Sequence, residues 1–105
     1  MNESEFTALT DAVLAQIEQG LEDSGADLDF FLASAGVLEI EFADGSKMVI
    51  NRQSAAKEMW VAARSGGFHF RWDGHFWRDT RTGTGLFEAL SALISAQAGV
   101  SITLA

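Results

Sequence analysis

Apolar residues follow a helical period at both ends of the chain. Near the start they recur every three or four positions, at Phe6, Leu9, Val13, Ile17 and Leu21. This spacing predicts an amphipathic helix, for which Asn2 or Ser4 can serve as the cap. After Gly85 the same spacing returns, at Leu86, Phe87, Leu90, Leu93 and Ile94. A second helix is therefore predicted, ending near Gly99, and the last six residues are expected to form either a strand or an ordered tail.

Between these helices the period changes to the alternation that is typical of β-strands. The pattern predicts six strands, over residues 28–33, 37–42, 46–52, 59–64, 68–73 and 76–79. Asp44-Gly45 and Asp73-Gly74 are hairpin-turn sequences, so consecutive strands should pair antiparallel. The adjacent Phe30 and Phe31 leave the register of the first strand open by one residue.

The apolar stripes of the two predicted helices must be buried, and one face of the sheet can cover both. The predicted fold is therefore α+β, a two-layer α-β sandwich in which two helices pack on one face of an antiparallel sheet of about six strands. A chain of 105 residues has the length of a single domain, residues 1–105. In the fourth strand, Met59 and Val61 are predicted to face the helices and Trp60 the open face, where an indole is a plausible anchor for a partner. The opposite register would bury Trp60 in the core.

Charge is distributed unevenly along the chain. Residues 1–46 hold eleven acidic residues and no Lys or Arg, whereas residues 47–105 hold four acidic and seven basic residues. The acidic part would repel nucleic acid and anionic lipid, so neither is expected as a partner. The absence of cysteine excludes disulfides, thiolate ligands and cysteine nucleophiles. No apolar run approaches the roughly 20 residues of a membrane span and the start is acidic, so a cytoplasmic protein is expected.

An acidic ridge, consisting of Asp11, Glu18 and Glu22, is predicted along the first helix. At about 100° per residue these side chains project within roughly 40° of one another, away from the apolar stripe. Glu18, Glu22 and Asp23 lie near the C-terminal end of the helix, where the helix dipole disfavours negative charge. This arrangement favours a cation or a basic partner opposite the ridge, although acidic helix faces are also common as plain solvated surface.

Carboxylates on an open surface suit hard cations that keep several waters. Glu18 and Glu22 could share one ion, and Glu22 or Asp23 could share another with Asp27. The spacing does not distinguish among Fe²⁺, Fe³⁺, Mn²⁺, Ca²⁺ and Mg²⁺.

Other candidate chemistry is weaker. His69 is predicted on the solvent face of a strand and His75 in a turn, and neither has the partners that a nucleophilic triad or a paired-histidine metal site needs. Gly83-Thr84-Gly85 precedes a helix but lacks the lysine of a phosphate-binding loop, so it is interpreted as a flexible lead-in. No catalytic residue and no organic cofactor are predicted.

Several short stretches, spread nearly from end to end, resemble the frataxin family. They are Met1-Asn2-Glu3-Ser4-Glu5-Phe6, Gly36-Val37-Leu38, Asp44-Gly45-Ser46-Lys47, Ile50-Asn51-Arg52-Gln53, Trp60 with Ala62, and Ser65-Gly66-Gly67-Phe68-His69-Phe70 with Trp77. The resemblance implies the same α-β sandwich and a role in iron–sulfur cluster assembly. It also implies weak binding of Fe²⁺ and Fe³⁺, and docking on a cysteine desulfurase and an iron–sulfur scaffold protein.

The resemblance also implies roles for individual residues. The iron ligands would be Asp11, Glu18, Glu22 and Asp23, with Glu3, Asp27 and Asp29 as further candidates. Partner contacts would come from Glu18, Glu22, Trp60, Asn51 and Gln53. Gln19 and Thr7 depart from the pattern, because close relatives often carry an acid and a histidine there.

We therefore expect a non-enzymatic, iron-binding regulator or adaptor of iron–sulfur cluster assembly. It is expected to be a monomer, with iron-dependent oligomers as an alternative. Two other functions stay open at this point, an iron oxidase and an acidic interaction module that binds no metal.

Overall fold

A computed structural model describes residues 1–104 and confirms the α+β sandwich. Two helices flank six strands along the chain. The elements are α1 (Glu3–Ser24), β1 (Leu28–Ser34), β2 (Val37–Phe42), β3 (Lys47–Gln53), β4 (Glu58–Ala63), β5 (Gly66–Trp72), β6 (Trp77–Asp79) and α2 (Leu86–Ala98). Neither helix is long and apolar enough to cross a membrane, as far as residues 1–104 are concerned.

The first helix begins and ends at residues suited to those positions. Asn2 is the cap: its side chain accepts a hydrogen bond from the backbone N–H of Glu5, and the Glu5 carboxylate accepts one from the backbone N–H of Asn2. This reciprocal pair satisfies two donors that the first turn would otherwise leave free. Gly25 ends the helix in the left-handed conformation, which glycine adopts without steric cost.

The six strands form one antiparallel sheet in the order β1-β2-β3-β4-β5-β6, so each strand pairs with its neighbours in the sequence. The predicted strand bounds hold to within two residues, and β6 is shorter than predicted because it begins at Trp77. The Asp73 carboxylate accepts hydrogen bonds from the backbone N–H groups of His75 and Phe76. These bonds keep Phe76 in the turn.

One apolar core lies between the sheet and the two helices. Leu38 and Ile40 of β2, Met48 and Ile50 of β3, and Phe70 of β5 are fully buried in it. In β1, Leu28 and Phe30 pack against this core, whereas 47% of Phe31 is exposed, which settles the open register of that strand.

Residues 99–104, after α2, form an ordered tail rather than a strand. Ile102 and Leu104 are buried, and their backbone N–H groups donate to the hydroxyls of Ser95 and Ser91 on α2. Gly20 of α1 lies directly against Leu104, where a larger side chain would have to displace it. The tail thereby packs α1 and α2 together.

Candidate functional site

The acidic ridge forms on the outer side of α1. The helix is continuous from Glu3 to Ser24, so Asp11, Glu18 and Glu22 keep the angular spacing that the sequence predicts. Asp11 and Glu22 are exposed and Glu18 is half-buried. The ridge therefore faces solvent, but its two halves differ in their neighbours.

Basic residues from β3 and the following loop neutralise the first half of α1. Arg52 donates to the Asp11 carboxylate at 2.6 Å and to the Thr10 hydroxyl at 3.4 Å. Lys57 lies 2.9 Å from a carboxylate oxygen of Glu3, and this hydrogen bond lowers the pKa of Glu3. Asp11 and Glu3 would each have to give up a base in order to bind a cation.

The second half of α1 and the segment after it carry the acidic patch. We use this name for five carboxylates that form no ion pair within residues 1–104, namely Glu18, Glu22, Asp23, Asp27 and Asp29. Asp23 accepts a hydrogen bond from the Gln19 amide at 2.8 Å, so Gln19 supports a carboxylate where an acid would have added another charge. No basic residue lies in the last turn of α1.

A further acid extends the patch across the sheet. Asp29 of β1 lies directly opposite Glu41 of β2 in the antiparallel register. Like charges opposite one another destabilise a strand pair. The sheet edge therefore adds to the unneutralised negative charge at the end of α1.

Ion pairing sharpens the charge asymmetry of the molecule. Six of the seven basic residues pair with a carboxylate. Four of those six, Lys47, Arg52, Lys57 and Arg64, pair with acids from residues 1–46. Within residues 1–104, Arg81 is the one base that pairs with no carboxylate, and the acidic patch is the largest group of unpaired acids.

The acidic patch does not form a compact metal centre. Within residues 1–104, no three His, Cys, Asp or Glu side chains lie close enough together to hold one ion. Carboxylate oxygens on an open surface nevertheless suit a hard cation that is bound by one or two side chains and completed by water. The residues present fit weak binding of a hydrated cation and do not fit an enclosed site.

The open face of the sheet carries the predicted tryptophan. Met59 and Val61 are buried beneath the helices, whereas Trp60 is half-buried on the opposite face, as the alternation predicted. Its indole stacks on the His69 ring with 4.4 Å between centroids and 10° between planes. Asn51 lies opposite Trp60 in the β3–β4 register, two residues before Gln53 on the same face.

Glu58 was missed by sequence reasoning, which began this strand at Met59. It opens β4 on the same face as Trp60, and only 8% of its side chain is exposed. One carboxylate oxygen accepts from the Trp60 indole N–H at 2.8 Å, and the other accepts from Arg71 at 2.6 Å. If the predicted strand had begun one residue earlier, the alternation would have placed Glu58 on the same face as Trp60. The burial of Glu58 could not be predicted in this way, because it depends on the neighbouring strand.

A cavity of about 580 Å³ lies where α1, the start of α2 and the β5–β6 turn meet. Its walls are mainly apolar and aromatic, including Trp72, Phe76 and Phe87. Glu88 is the only acid and His75 the only histidine among the lining residues. An enclosed di-iron centre needs several inward-facing Glu and His ligands, and this cavity does not supply them.

Known proteins resemble the chain over its whole length. The family model for the Frataxin-like domain matches residues 1–100. The iron-sulfur cluster assembly protein CyaY of Dechloromonas aromatica is 62% identical over 104 residues, which cover 99% of each chain.

Two solved structures share the fold. Frataxin from Psychromonas ingrahamii has a TM-score of 0.92 at 34% identity, with 100% of this chain and 99% of that chain covered. Trimeric frataxin from the yeast Saccharomyces cerevisiae, complexed with ferrous, has a TM-score of 0.67 at 27% identity, with 94% and 88% covered.

Proposed function

This chain belongs to the frataxin family, and on that premise we propose that it is an iron-binding regulator of iron–sulfur cluster assembly. Its cargo is Fe²⁺ or Fe³⁺, held weakly on the acidic patch. Its partner is the assembly complex, by which we mean a cysteine desulfurase together with an iron–sulfur scaffold protein. The observation that carries this proposal is the concentration at the end of α1 of five carboxylates that are unpaired within residues 1–104, whereas six of the other ten acids form ion pairs.

Iron binding is supported by the chemistry of the acidic patch. Glu18 and Glu22 repel each other as an i,i+4 pair by about 0.2–0.5 kcal/mol, and the helix dipole disfavours Glu22 near the end of α1. A bound cation relieves these repulsions, so the patch gives up helix stability in exchange for cation affinity. The name of the yeast frataxin complexed with ferrous, and the assembly-protein name of the Dechloromonas relative, agree with iron as the cargo.

Docking is supported by the geometry of the sheet. Asp29 in β1 and Trp60 in β4 share the open face, three strand spacings apart across the sheet and four residues apart along it, a separation of about 19 Å. A partner surface of standard size, about 800 Å² per side, spans both. The acidic patch would attract a basic surface of the desulfurase, while Trp60, Asn51 and Gln53 contact the assembly complex directly.

These two uses overlap on Glu18 and Glu22, so iron and partner are coupled. A cation on the patch cancels part of the charge that attracts the partner. We infer that loading with iron weakens docking, mainly by slowing association, which would make the chain a regulator of cluster formation.

The test is binding of the cysteine desulfurase, with and without Fe²⁺, at moderate salt. Replacement of Glu18 and Glu22 by Lys should weaken the complex at least tenfold and abolish its sensitivity to iron. Glu88→Lys on α2 is the matched control, because Glu88 is exposed, forms no ion pair with any described residue and lies outside the patch. Unchanged desulfurase binding by the double variant would contradict the proposal.

A metal-free interaction module is the second candidate, favoured by the lack of a compact metal centre within residues 1–104. Anaerobic titration with Fe²⁺, followed by admission of oxygen, separates the candidates. Saturable binding without turnover supports the regulator, and no binding supports the module. Catalytic turnover of Fe²⁺ with oxygen would instead identify an iron oxidase.

A further inference from the structure

The open face of the sheet holds a buried carboxylate where the proposed function needs none. Glu58 is 8% exposed, although it lies on the side of the sheet that the helices leave uncovered. Removing a carboxylate from water is costly unless it is paired and hydrogen-bonded. Glu58 meets both conditions, because the Trp60 indole and the Arg71 guanidinium donate to its two oxygens.

Strand register brings these four side chains together. Glu58 lies directly opposite Arg71, and Trp60 lies directly opposite His69, in the β4–β5 pairing. Members of such pairs have Cβ atoms about 4.5–5.5 Å apart, and residues two apart in a strand share a face. The cluster of Glu58, Trp60, His69 and Arg71 is therefore fixed by backbone pairing rather than by the flexible ends of its side chains.

The cluster restrains the indole on two sides. His69 covers one ring face at 4.4 Å, and Glu58 accepts from the N–H edge at 2.8 Å. Arg71 restrains Glu58 in turn at 2.6 Å, while 65% of the Arg71 side chain stays in solvent. The contacts with His69 and Glu58 restrict the rotamers that the Trp60 side chain would otherwise sample on an open sheet.

We propose that Glu58 is a positioning residue for partner recognition, which holds the Trp60 indole in its binding orientation before the partner arrives. This inference rests on the proposed function, because it takes Trp60 as the contact with the assembly complex. Ordering a large side chain on binding weakens affinity about two- to tenfold, and a side chain that is already ordered avoids that loss. Arg71 supports Glu58 by donating to its other carboxylate oxygen.

The first measurement uses the free protein and needs no partner. Trp60 indole N–H resonances in ¹H–¹⁵N spectra should shift upfield in Glu58→Ala and exchange faster with solvent, because the acceptor is gone. Glu58→Gln keeps an acceptor oxygen and should retain most of the native shift. Lys47→Ala removes the exposed Lys47–Glu39 ion pair on the same face and should leave the indole unchanged. A native indole signal in Glu58→Ala would overturn the proposal.

The second measurement is affinity for the assembly complex in a double-mutant cycle. Glu58→Ala should weaken binding about two- to tenfold in the native chain, but less than twofold in Trp60→Phe, which has no N–H to donate. Glu58→Gln should retain most of the native affinity. Equal losses from Glu58→Ala in both backgrounds would show that Glu58 acts independently of the indole and would overturn the proposal.

A further variant, Trp60→Ala, measured in the same affinity assay, separates this inference from the proposed function. If Trp60→Ala leaves partner affinity unchanged, docking through Trp60 is wrong, and the positioning role in recognition falls with it. If Trp60→Ala weakens binding while Glu58→Ala changes neither the indole signal nor the affinity, docking stands and only the positioning role is wrong.

Discussion

Arg52 joins the sheet to the first helix, and Gly36 makes room for it. The Arg52 side chain runs from β3 past Gly36 to reach Asp11 and Thr10 on α1. Gly36 has a φ of 77°, and a Cβ at this position would overlap the Arg52 side chain. The turn between β1 and β2 therefore needs glycine for two reasons: its backbone conformation, and the space that the Arg52 side chain occupies.

Replacement of Gly36 by Ala should destabilise the protein more than the same change at Gly45. Both positions have positive φ, which costs an alanine about 1–2 kcal/mol. Only at Gly36 does the new methyl group meet Arg52, whereas nothing lies within 4 Å of a Cβ at Gly45. Overpacking adds about 1–3 kcal/mol. Urea unfolding of both variants measures the difference, and equal losses would contradict this assignment.

Asp44 links stability to pH at the β2–β3 turn. A hydrogen bond from the Ser46 hydroxyl, a second from its backbone N–H and a third from Arg64 lower the pKa of Asp44 from 3.8 to about 2. A carboxyl whose pKa is lower in the folded state stabilises the fold above its unfolded pKa. That contribution is lost as the pH falls from about 4 to about 2.

Asp44→Asn should therefore flatten the pH dependence of the unfolding free energy between about pH 4 and pH 2. Asp73→Asn should act in the same direction, because backbone N–H groups of Phe76 and His75 and the Arg78 side chain lower the pKa of Asp73. Urea unfolding at a series of pH values is the measurement. A native slope in Asp44→Asn would show that this turn does not titrate as described.

At the scale of single elements, α1 is built from two unlike halves. Its first turn is optimised for stability, with the Asn2–Glu5 capping box and two acids at the positive end of the dipole. Its last turns have acids and no base. A helix selected for stability alone would carry Lys or Arg in these turns, so the second half is where function outweighs stability.

Glu22→Lys should stabilise the protein while it weakens iron binding. The substitution removes the repulsion from Glu18 and places a positive charge at the negative end of the dipole, for a gain of about 0.5–1 kcal/mol at low salt. Glu5→Ala, at the other end, should instead cost about 0.5–1 kcal/mol through loss of the capping box. Thermal unfolding measures the change in stability of both variants. A destabilised Glu22→Lys variant would contradict the idea that the acids at this end of α1 reduce stability.

The elements could be predicted because their signals are local. Helical spacing defined α1 and α2, and alternation defined the strands and the orientation of Trp60. Features that join distant residues could not be predicted. Arg52 pairs with Asp11 across 41 residues, and the hydrogen bond between Glu58 and Arg71 depends on the β4–β5 register, which places them opposite each other. The path of the tail against Gly20 likewise depends on how the two helices pack.

The sequence predicted the acidic residues of the candidate site, but not which of them form ion pairs. Seven acids were candidates for iron, and their residue types alone do not reveal which of them have a base nearby. The structure separates Glu3 and Asp11, which are ion-paired, from the five residues of the acidic patch. Their roles as iron ligands and partner contacts stay predictions.

At the scale of the whole molecule, charge and aromatic contact are separated: Glu18 and Glu22 lie on the outer side of α1, whereas Trp60 lies on the open face of the sheet, which Asp29 shares. The acidic patch lies at the end of α1 and the β1 edge, and the Trp60 cluster lies towards the middle of the same sheet. Charge attracts over a Debye length of about 8 Å at physiological salt, whereas the indole acts only in contact. We expect salt to slow association through the patch, and loss of Trp60 to speed dissociation.

Anaerobic titration of the ¹⁵N-labelled protein with Fe²⁺ shows where the ion binds, because paramagnetic broadening maps the bound ion onto the chain. We predict that amide signals of residues 18–29 broaden first and reversibly, while those around Asp11 and Glu3 broaden later or not at all. Glu22→Lys should reduce the effect, and Glu88→Lys should leave it unchanged. Broadening centred on the cavity that His75 lines, or equal broadening along all of α1, would contradict iron binding at the acidic patch.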